Sequence, residues 1–417
     1  MIDDGYVERK ATQLVQQAMT GFRVVVVNGP RQSGKSTLLE QLAGRSEGTL
    51  VTLDDLTALR TARTDPSGFV SGYSYPLMID EVQRGGDGLV LAVKALVDRA
   101  NRAGQVVLAG ASRFLTVPTL SESLAGRARI IDLWPLSQGE LSSGADALLD
   151  RLYLPTDALR NLEAEPMARA TVMERVVLGG FPGVHRLPVS LRRDWFDDYR
   201  RTLIERDLTE IRRLRQIAEV PRLVRLMAAN TGQEINVSKL ASSIGLAAGT
   251  VHEYLSLLEV IYVHHLLPGW APGFASRAKR RPKLHFVDSG LAADTLGVSI
   301  DRLTAPTSPE AGALLESFVV GEFLRQRTWS TIRPDLFHFR DREQREVDLV
   351  AEAADGRIVA VEVKAAVDVD SDDTRWLRYL RDSLGDRFVN GVVLHLGNRP
   401  QPLGDRLTAL PLATLWN

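Results

Sequence analysis

Cysteine is absent from all 417 residues, which excludes disulfides and thiolate metal sites together. Lysine is scarce: only seven of the 51 Lys and Arg residues are lysine. No stretch is long and apolar enough to span a bilayer. The opening residues, MIDDGYVERK, are acidic and polar and lack the apolar core of a signal peptide. No internal repeat and no low-complexity tract interrupts the chain. A net charge of −1 means that no global field draws the protein to nucleic acid, so any such contact rests on local patches. These absences fit a cytoplasmic protein with no membrane partner. What remains is ordinary: 44% hydrophobic and 25% charged residues describe a globular chain, and its length suggests about three domains.

Up to about Leu148, short apolar runs alternate with helical stretches. The runs Phe22–Asn28, Thr49–Asp54, Pro76–Asp80, Gln105–Ala109 and Arg129–Leu133 are short, rich in β-branched residues and bounded by turn residues. Strands buried on both faces read this way, and their alternation with helices predicts a doubly wound parallel sheet in residues 1–149. Residues 150–233 are helical, charged and rich in Leu and Arg, with a turn at Gly179-Gly180-Phe181-Pro182-Gly183. Residues 234–303 form a smaller unit, and residues 304–417 follow a polar, proline-containing linker at Thr304–Pro309.

Gly29-Pro30-Arg31-Gln32-Ser33-Gly34-Lys35-Ser36 matches G-x-x-x-x-G-K-[ST], between the apolar strand Val24–Val27 and an apolar helix, Thr37–Leu42. The glycines let main-chain N–H groups wrap a phosphate at a helix N-terminus, where the free donors and the dipole favour anions. Lys35 is placed to reach the β- and γ-phosphates of ATP and Ser36 to ligate Mg²⁺, with Thr37 completing the loop. Downstream, the run Pro76–Ile79 delivers Asp80 to hold Mg²⁺ and Glu81 to polarise the attacking water. After the fourth strand, Ser112 serves either as a γ-phosphate sensor or as a helix cap. Arg127 serves either as a trans-acting arginine finger, which requires a ring or a dimer, or as a surface ion pair.

Asn236 caps a short helix with Leu240, Ala241 and Ile244 on one face. Gly245 breaks it, and a second helix presents Val251, Tyr254, Leu255 and Leu258. Two short helices about a glycine are a helix-turn-helix signature, and Ile261–Leu267 with Leu284–Val287 supply the wing strands. The second helix exposes Thr250, His252 and Glu253, which are poor phosphate ligands. The positive charge lies in a loop carrying Arg277, Lys279, Arg280, Arg281 and Lys283, suited to a DNA backbone or to a solvated linker.

Near the C-terminus, Glu346-Val347-Asp348 and Ile358-Val359-Ala360-Val361-Glu362-Val363-Lys364 flank a turn at Asp355-Gly356. Alternation puts Glu362 and Lys364 on one face, and a hairpin can bring Asp348 beside them. Two carboxylates there suit an oxygen-coordinated Mg²⁺, with the lysine positioning water and Glu316, on helix Glu310–Gln326, as a further member. The alternative is an alternating charge pattern on a solvated sheet face. A helix, Ser371–Leu384, and a strand, Phe388–Leu396, complete the expected order.

With these motifs goes a wider set: Ser123-Leu124-Ala125-Gly126-Arg127, Gly179-Gly180-Phe181-Pro182, Glu205-Arg206-Asp207 and Phe286-Val287-Asp288-Ser289-Gly290-Leu291. Across nearly its whole length the chain resembles the bacterial and archaeal AAA-type ATPases that carry a C-terminal domain of unknown function. The resemblance implies an AAA-like P-loop sheet, a winged helix and a restriction-endonuclease-like α/β domain similar to the PD-(D/E)xK nucleases. One departure stands out: Ala109-Gly110-Ala111 replaces the family's Thr-Gly-Ser, which leaves Ser112 as a displaced sensor. Two functions follow as expectations. One is an ATP-driven enzyme that binds DNA and cuts it with Mg²⁺; the other is a nucleotide-gated regulator whose nuclease-like domain only docks DNA or protein.

Overall fold

Val24, Val25, Val26 and Val27 are all fully buried, without the alternation that a half-exposed strand would show. In the computed structural model, which describes residues 6–111, 124–208 and 216–417, they form an inner strand of a five-stranded parallel sheet. The chain divides into two units, residues 4–136 with 260–262, and residues 137–259 with 263–417. In the first unit, β1 (Val24–Asn28) lies between β4 (Val106–Gly110) and β5 (Ala128–Asp132). Beyond β4 come β3 (Leu77–Asp80) and then β2 (Thr49–Thr52).

Both faces of this sheet are covered. Val24 and Val26 pack with Ile79, Leu108 and the helix Gly86–Ala100 on one side. Val25 and Val27 pack with Val15 of α1 (Ala11–Gly21) and Leu38 of α2 (Lys35–Gly44) on the other. Burying each such valine contributes about 1.5–3 kcal/mol. Because every strand is parallel, the turns after β1 and β3 open on the same sheet edge, where ligands of such folds bind.

The expected strand at Thr49–Asp54 stops at Thr52, because Asp55 caps the next helix by accepting the Ala58 N–H at 2.8 Å. The expected wing strand Ile261–Leu267 starts only at His264. Tyr262 has a left-handed φ of 62°, which breaks the extended run; its hydroxyl donates to Asp132 at 2.6 Å and its ring meets Trp134 edge-on.

The second unit opens with helices, among them α3 (Arg169–Leu178), α4 (Val189–Thr202) and α5 (Val220–Ala229). The turn after α3 and the segment Phe286–Leu291 meet through one carboxylate. Asp288 accepts the Gly180 N–H at 2.7 Å and the Leu291 N–H at 3.0 Å, which caps α6 (Ser289–Leu296). Arg325 lies 3.8 Å from Asp288 and 3.4 Å from Glu322, and all three are buried. Gly290 has no room for a side chain: a Cβ would sit 2.8 Å from the Leu178 main chain. These two of the four motifs in the wider set are thus packing and capping devices.

Next come α7 (Val237–Ile244), capped by Asn236 and ended by Gly245 at φ 71°, and α8 (Ala248–Val260). A small antiparallel sheet follows the order β6 (Gln233–Glu234), β8 (Lys283–Phe286), β7 (His264–Leu267). The long helix α9 (Ala311–Trp329) precedes a six-stranded mixed sheet. Its antiparallel part is β9 (Asp335–Arg340), β10 (Glu346–Glu352) and β11 (Ile358–Val363). A crossover through α10 (Arg375–Leu384) leads to β12 (Phe388–His395), parallel to β11.

Two further strands extend the sheet beyond the expected last one. They are β13 (Gln401–Gly404) and β14 (Leu407–Pro411), the latter beside β12. Pro402 and Pro411 hide them from a reading by propensity; Pro402 is tolerated because β13 is an edge strand. Among the described residues no helix is long and apolar enough to cross a membrane.

Removing the Asp288 carboxylate would leave two buried amides unbonded and take one of its two nearby carboxylates from the buried Arg325. Asp288→Ala is expected to lower the unfolding free energy by about 3–5 kcal/mol in urea titrations. A loss below the size of one exposed hydrogen bond would contradict this account of the two motifs.

Candidate functional site

The turn after β1 is shaped by close approach. A Cβ at Gly29 would fall 2.2 Å from the Leu133 carbonyl oxygen, so only glycine fits. Gln32 and Gly34 both take left-handed φ values, 60° and 96°, which turn successive main-chain amides before α2 begins at Lys35. Strain of this kind at Gln32 is typical of ligand-gripping loops. The Lys35 ammonium is buried and donates to the Gly29 and Pro30 carbonyls at 3.0 and 2.7 Å. The buried Ser33 hydroxyl has no hydrogen-bond partner among the described residues, an open polar group facing the same turn. Arg31 is half-buried; Ser36 and Thr37 are exposed on the first turn of α2.

The Ser36 hydroxyl donates to Asp80 Oδ2 at 2.6 Å, which puts both groups within reach of one hard cation. Asp80 Oδ1 accepts the Glu81 N–H at 3.0 Å. Glu81 itself has a left-handed φ of 52°. Burial raises its pKa, with the Lys35 charge opposing.

Two residues of this edge carry no sequence signal strong enough to assign a role. Arg9 is buried and donates to the Ser33 carbonyl at 2.6 Å and the Trp134 carbonyl at 2.7 Å, tying the turn to the end of β5. Gln83 donates its amide N–H to the Glu81 carboxylate. Its amide oxygen lies 2.8 Å from the Cβ that a side chain at Gly110 would have, so it stands at the end of β4. In the sequence Gln83 closes Ile79-Asp80-Glu81-Val82-Gln83, a stretch shared with the AAA-type ATPases that the chain resembles, with no role attached to it. Ser112, read as sensor or cap, lies outside the described residues, as does Ser123. Arg127 donates to Asp98 at 3.0 Å, the surface ion pair of its two readings.

In the second unit, Leu349 faces Val361 across the β10–β11 ladder, which brings Asp348 and Glu362 together at the open end of the hairpin. Asp348 Oδ2 accepts the Val363 N–H at 2.9 Å. The Lys364 ammonium lies 3.1 Å from Glu362 and 3.3 Å from Asp373. Burial pushes the Glu362 carboxyl up to about 8, reinforced by Asp348 and opposed by Lys364.

Lys283 is the surprise of this region. It belongs to β8, is 1% exposed, and reaches Glu316 at 2.8 Å, Glu346 at 2.6 Å and Asp348 at 3.4 Å. Burial acts to lower its pKa, but the three carboxylates outweigh this and raise it. Two sequence-based expectations are corrected here. Lys283 is not part of the DNA-facing loop, because a buried ammonium bonded to carboxylates cannot meet a phosphate. Glu316 receives that ammonium, so it does not stand open as a metal ligand beside Asp348 and Glu362. Among the described residues no group of three or more acidic or histidine side chains is disposed to hold a metal ion. That leaves Asp348 and Glu362 as a pair at the hairpin end, without Glu316 as a third open ligand.

Arg277 is also withdrawn from the loop. It pairs with Glu352 at 2.6 Å and lies over the Phe337 ring at 4.9 Å. Arg280 donates to the Arg340 carbonyl at 3.0 Å, whereas Lys279 and Arg281 are exposed.

Comparison with known proteins identifies the class that this sheet and turn define: residues 21–142 match the AAA domain family. Residues 311–415 match a domain of unknown function (DUF4143), and residues 169–302 match another (DUF8612). The chain belongs to the family of AAA-domain proteins that end in a DUF4143 domain, a parallel ATPase-like sheet followed by helices and a mixed sheet. Uncharacterized proteins of Mycobacterium bovis and Mycobacterium tuberculosis are each 30% identical to it over 409 residues, 97% of this chain and 83% of theirs. A Walker-type ATPase of Pyrococcus abyssi matches in structure with 14% identity and a TM-score of 0.46, covering 70% of this chain and 96% of its own. A signal-transduction ATPase of Pyrococcus horikoshii with a tetratricopeptide repeat sensor matches with 13% identity and a TM-score of 0.27, over 78% and 47% of the two chains.

The Glu362 carboxyl, ordinarily near 4.5, is pushed up to about 8 in the folded chain. Between those values the folded state keeps a proton that the unfolded state has lost, so stability falls as pH rises through the window. Glu362→Gln is expected to flatten that fall. Urea unfolding of both proteins across the window, in chelator, checks it, and parallel pH profiles would contradict it.

Proposed function

We propose that the first unit binds ATP with Mg²⁺ and hydrolyses it, and that the nucleotide cycle controls a second unit that engages DNA. The observation that carries the ATPase reading is the Ser36 hydroxyl on the Asp80 carboxylate at 2.6 Å, beside Glu81 and after a turn with no room for a side chain at Gly29. In this reading the main-chain amides of Gly29 to Lys35 grip the β-phosphate, with Pro30, Arg31, Gln32, Ser33 and Gly34 forming its wall. Lys35 leaves the Gly29 and Pro30 carbonyls for the β- and γ-phosphates, a short swing of an unbranched side chain. Ser36 and Asp80 would hold Mg²⁺, which neutralises charge on the phosphates.

Glu81 orients and deprotonates the attacking water. Its burial supports that role, because a raised pKa makes a carboxylate a better base. Gln83 holds the Glu81 carboxylate and so acts as a positioning residue. Arg127 reaches a phosphate only if it leaves Asp98 in an assembly of several copies.

Lys35→Ala is expected to abolish nucleotide binding in calorimetry. Glu81→Gln is expected to bind ATP but lose roughly 10²- to 10⁴-fold in turnover. Turnover by Lys35→Ala at the wild-type rate would end the ATPase reading.

Cleavage of DNA by the second unit is a second reading, favoured by the pairing of Asp348 with Glu362 and Lys364 at one hairpin end. The ammonium of Lys283 on Glu316 favours the docking reading instead. Supercoiled plasmid with ATP and Mg²⁺ or Mn²⁺ separates them. Nicking that is lost in both Asp348→Ala and Lys364→Ala would establish cleavage, and intact plasmid under every condition is the outcome expected of a docking unit.

A further inference from the structure

The second unit contains a groove of about 840 Å³ between α7, the loop before β8 and the turn from β9 to β10. Lys239 of α7 lines one wall, and Lys279, Arg280 and Arg281 line another. None of these four cations pairs with a carboxylate among the described residues. The acids along the groove are mostly engaged: Asp341 holds Arg345 at 2.9 Å, and Glu346 holds Lys283 and Arg340. Only Glu234 has no cation among the described residues, which leaves four uncompensated positive charges against one negative.

The loop that carries three of these cations is fixed. The Arg280 guanidinium donates to the Arg340 carbonyl at 3.0 Å, and the Arg281 carbonyl bonds His338 Nε2 at 2.9 Å. Arg277 anchors the loop's start through Glu352. Lys279 and Arg281 therefore project as exposed side chains from a pinned backbone, and the exposed Lys239 lines the same groove from α7. Gln233, Ser243 and Gln344 add neutral hydrogen-bonding groups along the same walls.

We propose that this groove binds the phosphodiester backbone of DNA. The inference rests on the reading that the second unit engages DNA, and it assigns the surface. Cations from two separate elements along one groove, with neutral polar groups in the same lining, suit a ligand that repeats its charge along a line. A compact phosphate would need the cations to converge. The contact falls on the first helix of the two-helix unit and on the pinned loop. The second helix, α8, presents Thr250, His252 and Glu253 and contributes no cation to the groove.

The test is anisotropy of a short labelled duplex with the full-length chain, over a range of salt. The triple variant Lys239→Gln, Lys279→Gln, Arg281→Gln is expected to bind about 100-fold more weakly at physiological salt. Its log–log salt slope should fall by about 2 to 3. ATP affinity and the urea midpoint should not move, since all three side chains are exposed. Glu234→Gln should bind several-fold more tightly. Wild-type affinity and slope in the triple variant would overturn the groove while leaving DNA engagement in place. A wild-type chain that binds no DNA would remove that reading and the groove with it. Polyglutamate competing as well as DNA at equal charge would make an acidic protein the ligand and overturn the nucleic-acid assignment.

Discussion

At the end of β1 the chain passes so close to the Leu133 carbonyl that no side chain can exist at position 29. That approach fixes the path of the turn, and the turn's amides, the start of α2 and the place of Ser36 follow from it. The parallel sheet then sets where Asp80 and Glu81 emerge, because β1 and β3 run in one direction with β4 between them. Arg9 locks the arrangement by bonding the turn and the strand end at once. A buried guanidinium is costly to desolvate, and its bonds to two carbonyls offset that cost. The site is therefore held by main-chain geometry more than by any single side chain.

The second unit solves a different problem, the burial of charge. Asp288, Glu322 and Arg325 form one buried set, and Lys283 with Glu316, Glu346 and Asp348 forms another. One set joins Asp288 to α9 and the other joins β8 to α9 and β10, so the ion pairs help to specify which elements meet. Such pairs add little net stability over apolar packing, but removing one member leaves an uncompensated charge. The Lys283 set also decides the character of the hairpin end, because its ammonium occupies a place among carboxylates that a metal ion would otherwise compete for.

Much of this was legible in the chain. The β-branched runs marked all five strands of the first sheet to within a residue or two, because strands covered on both faces need continuous apolar sequence. The capping Asn236 and the breaking Gly245 placed α7 for a local reason as well. The reading failed where long-range packing overrides local pattern. β14 is a strand because β12 offers it an open edge, and Tyr262 breaks an extended run because Asp132 and Trp134 hold it.

The sequence by itself determined the glycine turn after β1 and its acidic partner strand, since both depend on residue types at fixed spacing and on a buried strand before each. Only the tertiary structure decided the fate of the basic and acidic residues farther on. Lys283 and Lys279 are four residues apart in one basic stretch, yet one is buried among carboxylates and the other lines an open groove. Charge is written in the sequence, but its solvation and its neighbours are set by the fold, and these determine what a charge can do.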